Sequence, residues 1–422
     1  MGRFRDILRD KNFVCFWLGQ VISQFGDRLN QMALIALVYR AAGGSPIALA
    51  KVMSWTIIPS FFFSPFAGAY ADRWDRRKTM IATDLIRAVL VALIPLFFWK
   101  TGAVLPVYIL VFGVFTASCF FLPSKLSFIP DLVPREQLLI ANSLTNTTML
   151  LAAVLGVGIG GPLIDAIGSD CGFFLDSATY VGSAILLAAI RTPPAVRPPA
   201  AEPRAPLRSG YVIALLRDIA AGFAYVCAQP QIRSIFVTIF LLLGAAGALY
   251  TAGVVFIQKA FGSVTRDLGI LAIALGAGFF VGAVACGRLA ANIGRMRLMS
   301  GALVLSGIFL LAFVGVVAYR GAWQLAYMCC FLLGGAVGPV FIAGNTLIHE
   351  LIPEQMRGRI FSILGIVMNA GFLAAMFLAA HSAAFFSPET VIAGIAVALS
   401  GYGAIGMMRG RAAPPPATPA VR

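Results

Sequence analysis

Charged side chains are scarce in this sequence. Asp, Glu, Lys and Arg make up 12% of the 422 residues, whereas apolar residues make up 60%, and the mean hydropathy is +0.90. A soluble chain carries roughly 25% charged residues, so this composition excludes an ordinary soluble domain. Histidine occurs only twice, and no nucleophile–base set, metal-ligand spacing or phosphate-binding loop is present. We therefore expect neither an enzyme nor a resident metal or cofactor.

Apolar runs of spanning length recur along the whole chain, and a helix of about 20 apolar residues crosses a bilayer. We predict an all-α membrane protein with twelve transmembrane helices and both termini in the cytoplasm. The predicted spans cover residues 13–39, 47–71, 79–99, 105–123, 138–164, 171–190, 232–258, 267–287, 298–319, 323–345, 360–385 and 389–408.

The basic residues carry topological information. With a cytoplasmic N-terminus, 24 of the 32 Lys and Arg residues fall on the cytoplasmic side, six fall outside and two lie within spans. The positive-inside rule makes this asymmetry an orientation signal. The net charge of +15 is thus explained without nucleic acid, which we do not expect as a partner. The same charges favour contact with anionic membrane lipids.

A proline-rich stretch divides the chain. We predict an N-terminal six-helix bundle over 1–191, a cytoplasmic linker with an amphipathic surface helix over 192–231, a C-terminal six-helix bundle over 232–408 and a disordered tail over 409–422. The two halves match at an offset of 219 positions: Arg76 falls on Arg295, and Ile129–Pro134 falls on Ile348–Pro353. This indicates a parallel duplication of six helices.

A compact charged hairpin joins the second and third predicted spans. Its pattern is G-x-x-x-D-R-x-x-R-R-K, formed by Gly68, Asp72, Arg73, Arg76, Arg77 and Lys78. The pattern and its position resemble the signature loop of the major facilitator superfamily of secondary transporters. The resemblance implies that Gly68, Asp72, Arg73 and Arg76 form a conformational switch that latches the outward-facing state. Asp84 and Arg87, three apart on the next span, can pair with each other or with this loop.

Polar residues line one face of the first predicted span. Gln20, Ser23, Gln24, Asp27, Asn30 and Gln31 recur at helical spacing. Asp27, with Arg28 beside it, lies past the middle of the bilayer, where an ionisable group is costly and commonly functional. We predict proton coupling or cargo binding through Asp27, Arg28, Gln24, Asn30 and Gln31. A structural Asp27–Arg28 pair is the alternative.

Three further polar positions extend this prediction. Lys125 follows Pro123 and Ser124 at the end of the fourth predicted span, where it reaches either the cavity mouth or, by snorkelling, the interface. Asn142 and Asn146 form a short polar face on the fifth span.

The fifth span ends in a glycine-rich stretch that contains Gly156, Gly160, Gly161 and Pro162. It is similar to the glycine–proline motif of the superfamily's antiporters. The resemblance implies export by antiport, and ordinary helix packing is the alternative.

Within the superfamily, Phe25-Gly26-Asp27 and Ile129–Pro134 resemble the macrolide-efflux and enterobactin-exporter branch. This implies a monomeric, multi-pass protein of the bacterial inner membrane that uses the proton gradient to export an amphipathic small molecule. Asp27 and Lys125 are also similar to a helix 1 acid and a helix 4 lysine of lysophospholipid transporters, so a lipid cargo stays open. A non-transporting membrane scaffold or receptor is the alternative of another class.

Overall fold

A computed structural model describes residues 4–71, 74–191, 211–319 and 323–412. The chain folds as two compact units, one formed by Met1–Pro206 with Ile257–Ile273 and the other by Leu207–Phe256 with Ala274–Arg422. The helices of the first unit are α1 (Phe4–Ile7), α2 (Lys11–Ala42), α3 (Pro46–Ala71), α4 (Arg76–Thr101), α5 (Leu105–Leu132), α6 (Leu138–Ile167) and α7 (Ser169–Ala189).

Local sequence signals explain where the helices of the first unit begin and end. Asp10 caps α2 by accepting hydrogen bonds from the Asn12 and Phe13 amides, and Asp75 caps α4 through the Lys78 amide. Gly43 and Gly102 end these two helices with φ of 58° and 63°, a left-handed conformation that favours glycine. Within the unit, α2 packs against α7 and α6, and α4 packs against α5 and α7.

The second unit is built from helices of the same kind. Its members in chain order are α8 (Tyr211–Ala228), α9 (Pro230–Ala248) and, after a π-helical turn over Leu249–Gly253, α10 (Val254–Phe261), then α11 (Arg266–Ile293), α12 (Arg295–Ala318), α13 (Trp323–Leu351), α14 (Glu354–Ser382) and α15 (Pro388–Ala412). The end of α10 and the start of α11 belong to the first unit. The core of the second unit is aliphatic and includes Ile235, Ile239, Leu303, Val340 and Ile363.

Three pairs of helices begin at positions that agree with the internal repeat predicted from sequence. α2 begins at Lys11 and the α9 segment at Pro230, α4 at Arg76 and α12 at Arg295, and α7 at Ser169 and α15 at Pro388. Each pair is 219 positions apart.

An ion pair is repeated at the same offset. Arg76 meets Asp131 at 2.8 Å in the first unit, and Arg295 meets Glu350 at 2.6 Å in the second. Equivalent positions thus make equivalent contacts in both halves.

The fourth predicted span is too short. The sequence predicts residues 105–123, but α5 continues to Leu132. Arg76 donates to the Ser127 carbonyl at 2.9 Å and pairs with Asp131, so a cation stabilises the last turn of the helix. The prolines at 123 and 130 are accommodated inside the helix, as neighbouring groups allow in membrane proteins.

Among the described residues, eleven helices are long and apolar enough to cross a membrane. The helix α2 has 32 residues and is long enough to cross a membrane, but its polar stripe makes it less apolar than these eleven. The amphipathic helix predicted within 192–231 is present as α8, which packs on α9 and α14. The proline-rich part of the linker, 192–210, and the tail from 413 lie outside the described residues.

Candidate functional site

The polar face of α2 packs against α7 and forms part of a buried polar cluster in the first unit. The cluster consists of Asp27 and Asn30 on α2, Asp84 and Arg87 on α4, Lys125 on α5, and Asp176 and Tyr180 on α7. Every member except Asp27 is buried, and Asp27 is half-buried. Charges at this depth need partners, and the contacts of each member follow from the helices that carry it.

Two side-chain hydrogen bonds connect α2 and α7. The Tyr180 hydroxyl donates to Asp27 Oδ1, and Asn30 Nδ2 donates to Asp176 Oδ2 at 2.7 Å. Asp27 and Asn30 lie three apart on one helix, and Asp176 and Tyr180 lie four apart on the other, so each pair shares a face. The half-buried Asp27 carboxylate thus lies about one helical turn from the fully buried Asp176 carboxylate.

Arg87 is enclosed by aromatic rings and one acid. Its guanidinium pairs with Asp84, and its Cζ atom lies 4.3 Å from the ring centroids of both Phe121 and Tyr180. Cation–π contacts of this kind stabilise a desolvated cation. Asp84 and Arg87 therefore pair with each other, one of the two arrangements that the sequence left open.

Lys125 lies inside a helix rather than at its end, so the prediction of a terminal position is wrong. Its helix, α5, continues to Leu132, and the side chain is only 6% exposed, so it is packed among the helices of the first unit. It forms no ion pair in the described part of the chain, and the nearby charges that act on it are Asp27 and Arg87. Lys125 is thus a buried cation whose charge interacts with the α2 acid Asp27.

The predicted Asp27–Arg28 pair does not form. Arg28 donates to Gln31 Oε1 at 3.2 Å, and its aliphatic part lies against Gly156 of α6. Gln24 donates to the Gln20 carbonyl at 3.0 Å. Consecutive helical residues point about 100° apart, which places Asp27 toward α7 and Arg28 toward α6.

Asn142 and Asn146 are not part of the cluster. Their side chains are exposed on α6, so the structure does not bring them to the Asp27 carboxylate. Their predicted role in binding cargo or proton remains a prediction.

The glycines of the antiporter-like motif serve two contacts. Gly156 and Gly160 lie against α2, where added Cβ atoms would meet Arg28 and Leu29. Gly161 accepts a hydrogen bond at its carbonyl from Thr265 Oγ1 at 2.8 Å, and Pro162 lies close to Gly269. Small residues here allow close backbone approach within the first unit.

The charged hairpin is described only in part. Asp72 and Arg73 lie outside the described residues, and the surroundings of Gly68 are likewise not described. Arg77 donates through Nε to the Leu187 carbonyl at 2.8 Å and through its terminal nitrogen to Ala188. A cation at the C-terminus of α7 is favourable, so Arg77 has a structural partner beyond its topological role.

Close packing brings α2 and α7 together at Gly26. A Cβ atom at this position would overlap Thr179 Oγ1 and Asp176 Oδ1. We expect Gly26→Ala to lower the free energy of unfolding by about 1–3 kcal/mol, because overpacking forces the two helices apart. Thermal unfolding of the purified protein in detergent measures this change.

Gly182→Ala is the matched control, since Gly182 lies on α7 and an added Cβ there meets nothing within 4 Å. It should keep or raise the unfolding temperature, because alanine favours helix more than glycine. Equal destabilisation by both changes would contradict this account of Gly26.

Sequence reasoning missed Asp176, Tyr180 and the aromatic enclosure of Arg87. A signal was available for Asp176, because it is an acid inside an apolar run. Tyr180 follows it by four residues, the spacing that places both on one face of a helix. No pattern pointed to their partners on α2, which lie 146 and 153 residues away.

The family model described as "transmembrane secretion effector" matches residues 6–411. The chain belongs to this major facilitator superfamily family. Macrolide efflux protein A of Streptococcus pyogenes is 24% identical to this transporter over 87% of the chain and 88% of its own length. The multidrug efflux pump Tap of Mycolicibacterium fortuitum is 25% identical over 81% of each. The predicted recognition as an efflux-branch transporter is thus confirmed.

The fold of this transporter also matches solved structures. A bacterial homologue of the iron transporter ferroportin, solved in an inward-facing state, aligns with a TM-score of 0.70 at 13% identity, over 95% of this chain and 99% of that one. Identity at this level supports the fold alone.

Proposed function

We propose that this transporter exports an amphipathic small molecule in exchange for protons by alternating access. One observation carries the proposal: Asp27 is a half-buried carboxylate in the interior of the first unit, bound to Tyr180 and surrounded by buried charges. A carboxylate in such a position can load and release a proton as its surroundings change. The efflux functions of the macrolide and multidrug relatives support the direction of transport.

The proposal includes a twelve-span topology with cytoplasmic termini in the bacterial inner membrane. The twelfth crossing is α2, because its repeat counterpart, Pro230–Phe261, is itself long and apolar enough to span. The polar stripe lowers the hydropathy of α2, and two of its members, Asp27 and Asn30, form hydrogen bonds with α7 within the bundle. We propose a monomer with no resident cofactor, whose basic cytoplasmic residues contact anionic lipids.

The proposed conformational switch consists of Gly68, Asp72, Arg73 and Arg76 in the charged hairpin, with the Asp84–Arg87 pair. Arg76 anchors the start of α4 to the end of α5, while Arg87 connects α4 to α7 through the Tyr180 ring. Because Tyr180 also binds Asp27, a change in the charge of Asp27 acts on the contact that holds α4. This chain of contacts relates the proton site to helix position.

A lipid cargo is the second candidate, favoured by a buried lysine, Lys125, in the same cluster as Asp27. A zwitterionic lysophospholipid headgroup offers a phosphate to the lysine and a cationic group to the acid. In this alternative Asp27 binds cargo and carries no proton. Both candidates use the same residues, so transport assays must separate them.

Efflux of a lipophilic fluorescent dye tests the main proposal. Loaded, de-energised cells that express the transporter should expel the dye when energised, and a proton uncoupler should abolish the difference from cells without the transporter. Efflux that persists with the uncoupler would refute proton coupling. Uptake of labelled lysophospholipid, lost in Lys125→Ala, would instead support the lipid candidate.

A further inference from the structure

The Asn30–Asp176 contact leaves one buried atom unsatisfied. Asn30 Nδ2 donates to Asp176 Oδ2 at 2.7 Å, while Asn30 Oδ1 is buried without a partner, and the residue is only 6% exposed. A buried polar atom without a hydrogen bond costs about 1–3 kcal/mol. An ionised carboxylate can only accept hydrogen bonds, so it offers nothing to this oxygen.

The donors around Asp176 carry no charge. The Asn30 amide donates at 2.7 Å, and the Thr179 hydroxyl lies 3.3 Å from Asp176 Oδ1 but donates over a shorter distance, 2.7 Å, to the Asp176 backbone carbonyl. The Asp176 side chain is 0% exposed. Arg87 is the cation that acts on Asp176 from α4, but its ion pair is with Asp84. Burying a carboxylate without a bonded cation is expensive.

The other charged groups of the cluster do not supply the cation that Asp176 lacks. The cluster contains three acids, Asp27, Asp84 and Asp176, and two cations, Arg87 and Lys125. Arg28 lies next to Asp27 but is turned toward α6 and bonds to Gln31, so a fully ionised cluster carries one negative charge more than its own cations balance. Tyr180 donates to Asp27 and supplies no cation. One bound proton would make the cluster neutral.

We propose that Asp176 holds a proton in this structure and donates it as a hydrogen bond to Asn30 Oδ1. The proton binds to one oxygen of the Asp176 carboxylate and forms an O–H bond, and no group leaves. Asp176 and Asn30 then each donate one hydrogen bond to the other and accept one from it. The inference rests on the proposed function, because it gives the transporter a second proton site one helical turn from Asp27. Asp27, which is half-buried, is the point through which this proton enters and leaves.

Infrared spectroscopy of the full-length transporter in lipid bilayers tests the assignment, because a protonated carboxyl has a carbonyl stretch that a carboxylate lacks. At neutral pH the wild type should show this band, and Asp176→Asn should lose it. The amide of this variant can still pair with Asn30, so the variant should remain folded. Asp10→Asn, at the exposed N-cap of α2, should keep the band.

Asn30→Ala provides a second variant that leaves Asp176 in place. It should shift the band, because the acceptor of the Asp176 hydroxyl is removed. A wild type without the band, full retention of the band in Asp176→Asn, or an unshifted band in Asn30→Ala would overturn the proposal.

The measurement needs neither cargo nor transport, so it separates the two claims. A wild type with the band but without uncoupler-sensitive dye efflux would refute the export proposal and support the proton at Asp176. Dye efflux by a wild type that lacks the band would support the export proposal and refute the proton at Asp176.

Discussion

Asp27→Asn is expected to reduce energised dye efflux to the level of cells without the transporter. The amide keeps the size of the carboxylate and can still accept the Tyr180 hydrogen bond, but it cannot bind and release a proton. If Asp27 couples transport to protons, the variant should still let dye equilibrate down its own gradient. Uphill efflux and downhill equilibration are therefore measured side by side, in cells and in proteoliposomes.

Asp10→Asn is the matched control on the same helix. Asp10 caps α2 through its side chain, and asparagine caps a helix about as well as aspartate, so this variant should transport like the wild type. Loss of both uphill and downhill transport in Asp27→Asn would place Asp27 in cargo binding. Unchanged uphill efflux would leave export intact and remove Asp27 as the proton site.

Arg87→Met is expected to lower the free energy of unfolding by about 3–5 kcal/mol, because it leaves the buried Asp84 carboxylate without its ion-pair partner. Asp84 is 0% exposed, so water cannot compensate for the lost charge. Methionine fills the space of the arginine stem and tolerates contact with the Phe121 and Tyr180 rings. Thermal unfolding in detergent, followed by tryptophan fluorescence, measures the effect.

The double variant Asp84→Asn with Arg87→Met should recover most of this loss, because no unpaired charge remains. Arg295→Met is the control for an exposed pair: Arg295 and Glu350 are 43% and 46% exposed, and breaking their bridge should cost less than about 1 kcal/mol. Equal destabilisation by Arg87→Met and Arg295→Met would contradict the buried-pair account. A double variant no better than Arg87→Met would mean that the cation–π contacts dominate.

The architecture could be predicted from sequence because its signals are periodic and repeated. The offset of 219 positions, found from Arg76 and the Ile129–Pro134 segment, predicted equivalent halves, and the helix starts agree with it. Asp27 was found because a charge in an apolar run is rare enough to stand out. Both signals depend only on residue type and spacing.

The contacts of the cluster could not be predicted in this way. Tyr180 binds Asp27 across 153 positions of sequence, and no local pattern records which helices become neighbours. The predicted position of Lys125 is wrong because the apolar run of the fourth span stops before the helix does: α5 continues to Leu132, where Arg76 contacts its last turns. Asp176 was visible as a residue, but its role depends on an amide on another helix.

The low hydropathy of α2 has a consequence for biosynthesis. Placing a charged residue such as Asp27 at the centre of a spanning helix costs about 2.5–3.5 kcal/mol during insertion, and the groups that offset this cost lie on α7. The ribosome makes Asp176 and Tyr180 only after some 150 further residues. We therefore expect α2 to reach its stable position in the bilayer late, only once α7 has been synthesised and has docked against it.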